Sequence, residues 1–275
     1  MERIDAHQHY WKIARGDYGW MGPHVAPIMR DYMPGDLAPH LEAAGIARTV
    51  VVQAAPTVAE TQFLLDLAER EPGIACVVGW VDVWAPDAAA TLARLAARSK
   101  LRGIRPMLQD LDDTLAILDP AALRTLADLA VRGLAFDALV QPRHLPVIAA
   151  LADRLPELQI VVDHGAKPFI EAGKTEPWAS DMAALARRGN VVCKLSGLVT
   201  EAGRNWSAAV LGRYVEHLLA CFGAERLMFG SDWPVVEMAA SYGDWWAAAQ
   251  ELTSALSEPE RQALFGGTAK RFYRL

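Results

Sequence analysis

Short apolar segments alternate with alanine- and leucine-rich helical stretches along the whole chain. Because neighbouring parallel strands need a crossover connection, this alternation predicts a parallel sheet covered by helices. The segments predicted to form strands are residues 3–9, 49–54, 74–83, 101–107, 134–140, 158–164, 190–195 and 227–231. Such a series of repeats without a change in composition predicts closure into one α/β domain, a single (β/α)8 TIM barrel over residues 1–275.

The other fold that this alternation permits is an open, doubly wound parallel sheet. Sheets of that kind usually carry a glycine-rich phosphate-binding loop after the first strand. The first predicted strand of this chain instead ends in HQHYW, and no linker or low-complexity tract divides the sequence. We therefore expect one closed barrel rather than an open sheet.

Two helices carry clear boundary signals. Thr57 and Glu60 have the spacing of a capping box, which predicts a helix that begins between them. Residues 205–222 show apolar side chains at helical spacing and are followed by Gly223, which predicts one long amphipathic helix. Both helices are expected to pack their apolar faces on the outside of the barrel.

Composition limits the partners and location of the protein. The net charge of -6 gives no reason to expect nucleic acid as a partner. No apolar run approaches the roughly 18 residues that a membrane span needs, and the charged start MERIDAHQHYW is unlike a secretion signal. We therefore expect a cytoplasmic protein without a membrane partner, and an oligomer is compatible with the sequence. The 3 cysteines lie far apart, which argues against a disulfide framework and against a cysteine-based zinc site.

Histidines and an aspartate stand where three predicted strands end. The active sites of TIM barrels lie at the carboxyl ends of the strands. His7 and His9 on strand one are two residues apart, so both side chains face the same way, and we expect them to face inward. Strand six ends in His164, and strand eight leads into Asp232. Three imidazoles and one carboxylate are thus predicted to meet at the barrel mouth.

These four side chains suit two kinds of site. They match the ligands of one zinc or other divalent ion, with room for a water molecule. They equally suit a metal-free site in which imidazoles donate hydrogen bonds and the carboxylate acts as a base. The remaining histidines fall in loops or helices and are expected to be ordinary surface or packing residues: His24, His40, His144 and His217.

Basic and amide side chains near the strand ends are candidates for substrate binding. Arg105 ends strand four, Lys167 follows strand six, and Gln53 ends strand two. Lys194 lies within strand seven, where a charged group needs a partner. It is expected either to pair with a structural carboxylate such as Asp137 or to face the cavity and bind an oxygen-rich substrate.

An unusual segment follows the first strand. Residues 10–34 show little helical period and are rich in Trp, Tyr, Met, Gly and Pro. A long loop inside a compact domain is usually functional, and this one is predicted to lie over the barrel mouth. Trp11 and Trp20 offer flat faces that suit a ring-shaped substrate, and we count both as candidate binding residues.

The motifs around these residues resemble the amidohydrolase superfamily. HQH on strand one, the histidine of strand six and the aspartate of GSDWP match its characteristic residues. The stretches IDAHQHYW, YGWM, LRGIRP, VVDHGAKP, VCKLSG and LMFGSDWP are similar, more narrowly, to the sugar-lactone hydrolases, and among these to the L-fuconolactonases. The similarity runs from Arg3 to about Val235.

The resemblance implies a distorted (β/α)8 barrel that uses water to open the cyclic ester of a sugar lactone such as L-fuconolactone. We expect Asp232 to act as the general base, while His7, His9 and His164 stabilise the oxyanion or hold a metal. Superfamily members with two metals use a further histidine on strand five, and here that strand, GLAFDALV, contains neither lysine nor histidine. At most one ion is therefore expected, and some members of this branch work without metal.

Two other functions fit the same residues. A decarboxylase of aromatic or unsaturated carboxylic acids, within the same superfamily, uses similar ligands but needs a metal throughout. A barrel that binds a sugar acid without turnover is the alternative from another class of protein. Release of CO₂ would separate the first alternative from a lactonase, and the absence of Asp232-dependent hydrolysis would separate the second.

Overall fold

The structure is a computed structural model that describes residues 2–275. In this range an 8-stranded sheet forms, in which each strand pairs in parallel with the next one along the chain. The strands are β1 (Ile4–Gln8), β2 (Arg48–Val52), β3 (Ile74–Gly79), β4 (Leu101–Ile104), β5 (Ala135–Ala138), β6 (Ile160–Val162), β7 (Val191–Leu195) and β8 (Leu227–Phe229). The predicted (β/α)8 TIM barrel is confirmed.

The segment that follows β8 pairs with the carboxyl end of β1. The backbone N–H of Asp232 donates to the carbonyl oxygen of His7 at 2.8 Å, and that of His9 donates to the carbonyl oxygen of Trp233 at 2.7 Å. These bonds bring the first and last strands side by side, so residues at opposite ends of the sequence reach the same mouth.

Helices cover the outside of the sheet. Their bounds are α1 (Pro34–Ala44), α2 (Val58–Arg70), α3 (Ala88–Ala96), α4 (Pro120–Arg132), α5 (Leu145–Arg154), α6 (Trp178–Leu185), α7 (Leu198–Ala202), α8 (Ala208–Phe222), α9 (Tyr242–Leu252), α10 (Glu258–Gln262) and α11 (Thr268–Tyr273). Among residues 2–275, none of the helices is both long and apolar enough to cross a membrane.

The helix boundaries agree only in part with those predicted from the sequence. Thr57 caps α2, because its side chain accepts a hydrogen bond from the backbone N–H of Glu60. The carboxylate of Glu60, however, turns inward instead of completing the capping box, and accepts hydrogen bonds from Tyr18 and Ala54. The helix predicted over residues 205–222 begins later, at Ala208, where the hydroxyl of Ser207 caps α8.

The strands end earlier than the apolar runs suggested. Strand β6 ends at Val162 and β8 ends at Phe229. Beyond them, His164 and Asp232 take the left-handed backbone conformation, with φ of 54° and 58°. A strand needs extended backbone, so neither residue can belong to the strand before it, and both side chains lie at the mouth instead.

Small apolar side chains fill the barrel below the mouth. Ile4, Val50, Val52 and Val78 are buried in this inner layer, and Tyr273 of α11 packs against the same layer. The pairing of β1 with β2 shifts register between Asp5 and Gln8. The sequence does not reveal this irregularity. It lies at His7, whose buried ring is among inward-facing polar groups.

Candidate active site

The carboxylate of Asp232 lies at the floor of the mouth among three imidazole rings. Its Oδ1 atom is 3.7 Å from Nε2 of His7, 3.3 Å from Nε2 of His9 and 3.8 Å from Nε2 of His164. All four side chains are buried. The structure therefore brings together the three histidines and the aspartate that the strand ends predicted.

Neighbouring groups fix the orientation of the rings. His9 donates from Nδ1 to the carbonyl oxygen of Val52 at 2.8 Å, which leaves Nε2 facing Asp232. His164 Nδ1 lies 2.9 Å from the hydroxyl oxygen of Ser196. Next to it, Gly197 has a φ of 66°, and a Cβ at that position would lie 2.6 Å from Nδ1 of His164. Glycine at 197 is thus required both by the backbone and by the close approach of the ring.

A buried ion network lies beneath His7. The ammonium group of Lys194 is 2.6 Å from Asp137 and 3.0 Å from Asp163. Arg105 donates to Asp163 at 3.2 Å, and Asp163 lies 3.4 Å from Nδ1 of His7. Burial alone would lower the pKa of Lys194, but the two carboxylates outweigh it and raise that pKa. Lys194 therefore remains a fixed positive charge under the ring.

Burial decides the protonation of two of the imidazoles. Desolvation lowers the pKa of His164 to about 4, and desolvation together with the charge of Lys194 lowers the pKa of His7 well below its usual range. Both rings are therefore neutral at pH 7. Burial would raise the pKa of Asp232, yet its interactions with His164 and His9 keep that pKa below its usual range. The carboxylate is accordingly ionised.

Three of these donors are placed to hold one divalent ion, because ligand atoms of His7, His9 and Asp232 lie within 4.8 Å of one another. Four ligands placed about 2.0–2.2 Å from a tetrahedral ion lie about 3.3–3.6 Å apart. The separations between Asp232 and the three Nε2 atoms, 3.3 to 3.8 Å, are close to that spacing. Neutral imidazole rings can act as metal ligands. A ligating ring usually donates its other N–H to a neighbouring group, as Nδ1 of His9 does to a backbone carbonyl. Arg105 disfavours a bound cation, because its Nη1 atom lies only 3.4 Å from Nε2 of His7 and brings a positive charge to the same place.

A pocket of about 310 Å³ opens above this floor. It is lined by His9, Trp11, Trp20, His24, Ala54, Arg105, Met107, Gln109, Asp110, Leu139, His164, Lys167, Asp232 and Val235. Four residues predicted to bind substrate, Arg105, Lys167, Trp11 and Trp20, are therefore at the pocket wall. The aromatic pair comes from the predicted loop after β1, and that loop covers one side of the mouth.

Two other candidates do not line the pocket. Lys194 is fully buried in the ion network, which is the alternative that pairs it with Asp137. Gln53 is also fully buried, and its amide nitrogen donates to the backbone oxygen of Arg105 at 2.8 Å. The side chains of Lys194 and Gln53 therefore lie one layer below the pocket surface, where they support Arg105 and its neighbours.

Sequence reasoning missed several lining residues. His24, expected to be an ordinary surface residue, reaches the pocket from the loop after β1. Met107, Gln109 and Asp110 reach it from the segment after β4. The only available signal was their position after a strand, since loop length alone does not tell which side chains turn inward.

The fold and the cluster at its mouth define a (β/α)8-barrel protein whose pocket floor is built from histidines and an ionised aspartate. The chain belongs to the amidohydrolase family, whose sequence model, described as "Amidohydrolase", matches residues 4–275.

Known relatives resemble the chain over nearly its whole length. The chain is 48% identical to an L-fucono-1,5-lactonase of Burkholderia ambifaria, covering 99% of this chain and 96% of that protein. It is 40% identical to an L-fucono-1,5-lactonase of Burkholderia multivorans, with the same coverage of 99% and 96%. A crystal structure of an amidohydrolase from Burkholderia multivorans with bound zinc superimposes with a TM-score of 0.94 at 40% identity, covering 100% of both chains.

Proposed function

We propose that this chain is a lactonase that hydrolyses L-fucono-1,5-lactone, or a closely related sugar lactone, to the open-chain sugar acid. The observation that carries the proposal is the identity of 48% to an L-fucono-1,5-lactonase along 99% of the chain. The residues at the pocket floor are consistent with it, because an ionised carboxylate beside neutral imidazoles suits the attack of water on a carbonyl group.

In this proposal Asp232 is the general base. Its ionised carboxylate takes a proton from a water molecule, and the resulting hydroxide attacks the lactone carbonyl carbon. The tetrahedral oxyanion then collapses, the bond from that carbon to the ring oxygen breaks, and Asp232 returns the proton to the departing alkoxide. The burial of Asp232 at 5% exposure supports this role, because a largely dry carboxylate is poorly solvated by competing water.

The oxyanion needs positive charge or hydrogen-bond donors. His7, His9 and His164 surround the carboxylate, and Arg105 brings a permanent cation to Nε2 of His7 at 3.4 Å. Donors that are fixed in place before the reaction stabilise developing charge without reorganising. The ion pair with Asp163 holds the guanidinium in place during the reaction.

A divalent ion bound by His7, His9, His164 and Asp232 would supply Lewis-acid polarisation of the carbonyl oxygen. The sugar ring is proposed to rest against Trp11 and Trp20, with Lys167 near its hydroxyl groups. A cytoplasmic location and the oligomeric state remain predictions from the sequence.

A lactone panel tests the proposal directly. Purified protein is incubated with L-fucono-1,5-lactone, other aldonolactones and a carboxylated aromatic ring, and acid release is followed with a pH indicator. We expect acid release that is fastest on L-fucono-1,5-lactone or its near relatives. Release of CO₂ from the aromatic acid without any lactone hydrolysis would contradict the proposal and favour a decarboxylase.

A further inference from the structure

Helix α11 sends one polar group into the interior of the barrel. Tyr273 is buried, and its ring packs in the inner layer of small apolar side chains below the mouth. Its hydroxyl donates a hydrogen bond to Oδ2 of Asp137 on β5 at 2.7 Å. The centroid of the same ring lies 5.7 Å from the ammonium nitrogen of Lys194. Tyr273 does not line the pocket, so it reaches the buried ion network from another side.

Polar contacts continue from this hydroxyl to the pocket floor. Oδ2 of Asp137 is 2.6 Å from the ammonium nitrogen of Lys194, and that nitrogen is 3.2 Å from Nδ1 of His7. On the other side of the imidazole ring, Nε2 of His7 lies 3.7 Å from Oδ1 of Asp232. Every side chain along this path is buried, so bulk water has little access to replace a lost contact.

Lys194 is the member of the path that several groups share. An ammonium group has three N–H donors and accepts no hydrogen bond. The polar neighbours of this one are Asp137, His7 and, at 3.0 Å, Asp163. These three groups therefore compete for the same donors, and the position of the ammonium depends on how strongly each of them attracts it.

The carboxylate of Asp137 has few other donors. Its Oδ2 atom meets Tyr273 and Lys194, while its Oδ1 atom has no hydrogen-bond partner among residues 2–275. Without the hydroxyl, the ammonium is the one remaining donor to this carboxylate in that range. A buried charge that loses a partner binds the remaining one more strongly, because no water compensates the loss. The ammonium would then move towards Asp137 and away from His7.

We propose that Tyr273 is a positioning residue for the ring of His7, and that it acts through Lys194 by binding the neighbouring carboxylate. This inference rests on the proposed lactonase function, in which His7 lies beside the general base and the oxyanion. The ring of Tyr273 fills space in the inner layer, whereas the hydroxyl oxygen alone serves the positioning role. Removing that one atom therefore separates the two contributions.

Tyr273→Phe removes the hydroxyl and keeps the ring. Tyr214→Phe makes the same change at a buried tyrosine of α8, whose hydroxyl donates to the carbonyl oxygen of Lys174 at 3.2 Å, outside the ion network. For the wild type and both variants, kcat per folded molecule and KM are measured on L-fucono-1,5-lactone. We expect Tyr273→Phe to lower kcat about 10-fold, the scale seen when a residue that orients a functional side chain is lost, at an almost unchanged KM. Tyr214→Phe should leave both constants unchanged.

A purely structural role of the hydroxyl gives a different result. Loss of its hydrogen bond then lowers Tm, while kcat per folded molecule stays at the wild-type value, and this result would overturn the inference. A higher KM at unchanged kcat would overturn it too, as would an equal loss of kcat in Tyr214→Phe. In each of these cases the lactonase function stands.

Asp137→Asn shows whether the hydroxyl acts through this carboxylate. The amide keeps the shape of the side chain and removes the charge that attracts Lys194, so kcat should fall. In the double variant with Tyr273→Phe the two losses should not add, because both act by one route. Wild-type kcat in Asp137→Asn, or full additivity, would contradict the route. If Tyr273→Phe does not fold, the single Asp137→Asn variant decides by the same criterion.

Histidine NMR separates this inference from the proposed function. If the wild type hydrolyses no lactone, the proposed function is wrong, and the ring nitrogen-15 resonances of the 7 histidines are compared in the wild type and the two tyrosine variants at one pH. His7→Gln identifies the His7 signals. A shift of these signals in Tyr273→Phe but not in Tyr214→Phe would support positioning of the ring. Unchanged His7 signals, or equal shifts in both variants, would overturn it.

Discussion

The carboxylate of Asp232 combines three properties that seldom occur together. It is ionised, it is buried, and its backbone is held in the left-handed region at φ of 58°. Non-glycine residues in that region are energetically costly, and such residues are often retained at functional sites. The imidazoles of His9 and His164 compensate part of the cost of burying the charge. The proposed role of Asp232 as the general base therefore depends on the charge state of its side chain and on the imidazole rings that surround it.

A substitution that prevents residue 232 from accepting a proton tests the proposed role of Asp232 as the general base. Asp232→Asn keeps the size of the side chain, so the fold should persist while kcat falls by roughly 10²–10⁴. The measurement is kcat on the best lactone of the panel, with circular dichroism as a check on folding. Asp244→Asn, at the exposed start of α9, is the matched control and should behave as the wild type. Turnover by Asp232→Asn close to that of the control would contradict the assignment.

Arg105 gives a second prediction at this scale. Its guanidinium lines the pocket and pairs with Asp163, which also keeps Lys194 at 3.0 Å. Because Asp163 retains a cation when Arg105 is lost, Arg105→Met should lower kcat/KM about 10-fold or more while the protein still folds. Arg124→Met on the exposed face of α4 is the control. A large fall in Tm with unchanged kinetics per folded molecule would instead assign Arg105 to structure alone.

The loop after β1 is the element that shapes the upper pocket. Trp20 donates from Nε1 to the carbonyl oxygen of Ala54 at 2.7 Å, and the hydroxyl of Tyr18 donates to Glu60 at 2.9 Å. Glu60 also accepts from the backbone N–H of Ala54 at 3.2 Å. A single buried carboxylate at the start of α2 thus fastens the aromatic loop to the end of β2. The capping-box spacing predicts that the Glu60 side chain bonds within α2, whereas in the structure it holds the distant loop after β1.

The stability of this element should depend on pH. Burial raises the pKa of Glu60 from 4.5 to about 7, so the native state holds this proton more tightly than the unfolded chain. The contribution of Glu60 is therefore fully present below about pH 4.5 and is lost as the pH rises towards 7, at up to about 1.4 kcal/mol per pH unit.

Urea unfolding between pH 4.5 and 8 measures this dependence. In Glu60→Gln the decline of the free energy of unfolding across that window should be shallower than in the wild type. Glu69→Gln, at an exposed position on the same helix, should keep the wild-type slope. Identical slopes in Glu60→Gln and the wild type would show that Glu60 does not titrate with a raised pKa.

At the scale of the whole molecule, barrel closure determines which groups meet. His7 and Asp232 lie 225 positions apart in sequence, yet their side chains are 3.7 Å apart because β8 joins β1. The same closure places Lys194, Asp137 and Asp163 in one dry network under the floor. Buried charges of this kind are stable only when they are paired, so the polar interior and the barrel geometry depend on each other.

The number of metal ions that the protein binds depends on the ligands that barrel closure brings together. Two groups of three ligands overlap at His7, one with His9 and Asp232 and one with Asp163 and His164, and Arg105 competes with a cation there, so we expect at most one divalent ion per chain. A lactone carbonyl is reactive and its alkoxide leaves more easily than an amine, so removing the ion should leave substantial lactonase activity.

Dialysis against a chelator, elemental analysis and a lactonase assay on the same sample measure both quantities. A sample dialysed without chelator is the control. Two tightly held ions per chain would contradict the ligand count. Activity that disappears with the ion and returns with added zinc would show that the ion is needed for turnover.

The barrel, its strands and the histidines and aspartate at its floor could be predicted from the sequence, because periodicity and strand ends are local features and a parallel β/α repeat converts them directly into position. Which polar side chains reach the pocket could not be predicted, because that depends on contacts between distant parts of the chain. Lys194 shares a strand with inward-facing residues but meets Asp137 and Asp163 below the surface, whereas Gln109 and His24 enter from loops without periodicity. The physical reason is that a loop side chain points where its backbone hydrogen bonds and distant neighbours allow, and a buried charge settles beside whichever opposite charge the fold brings within reach.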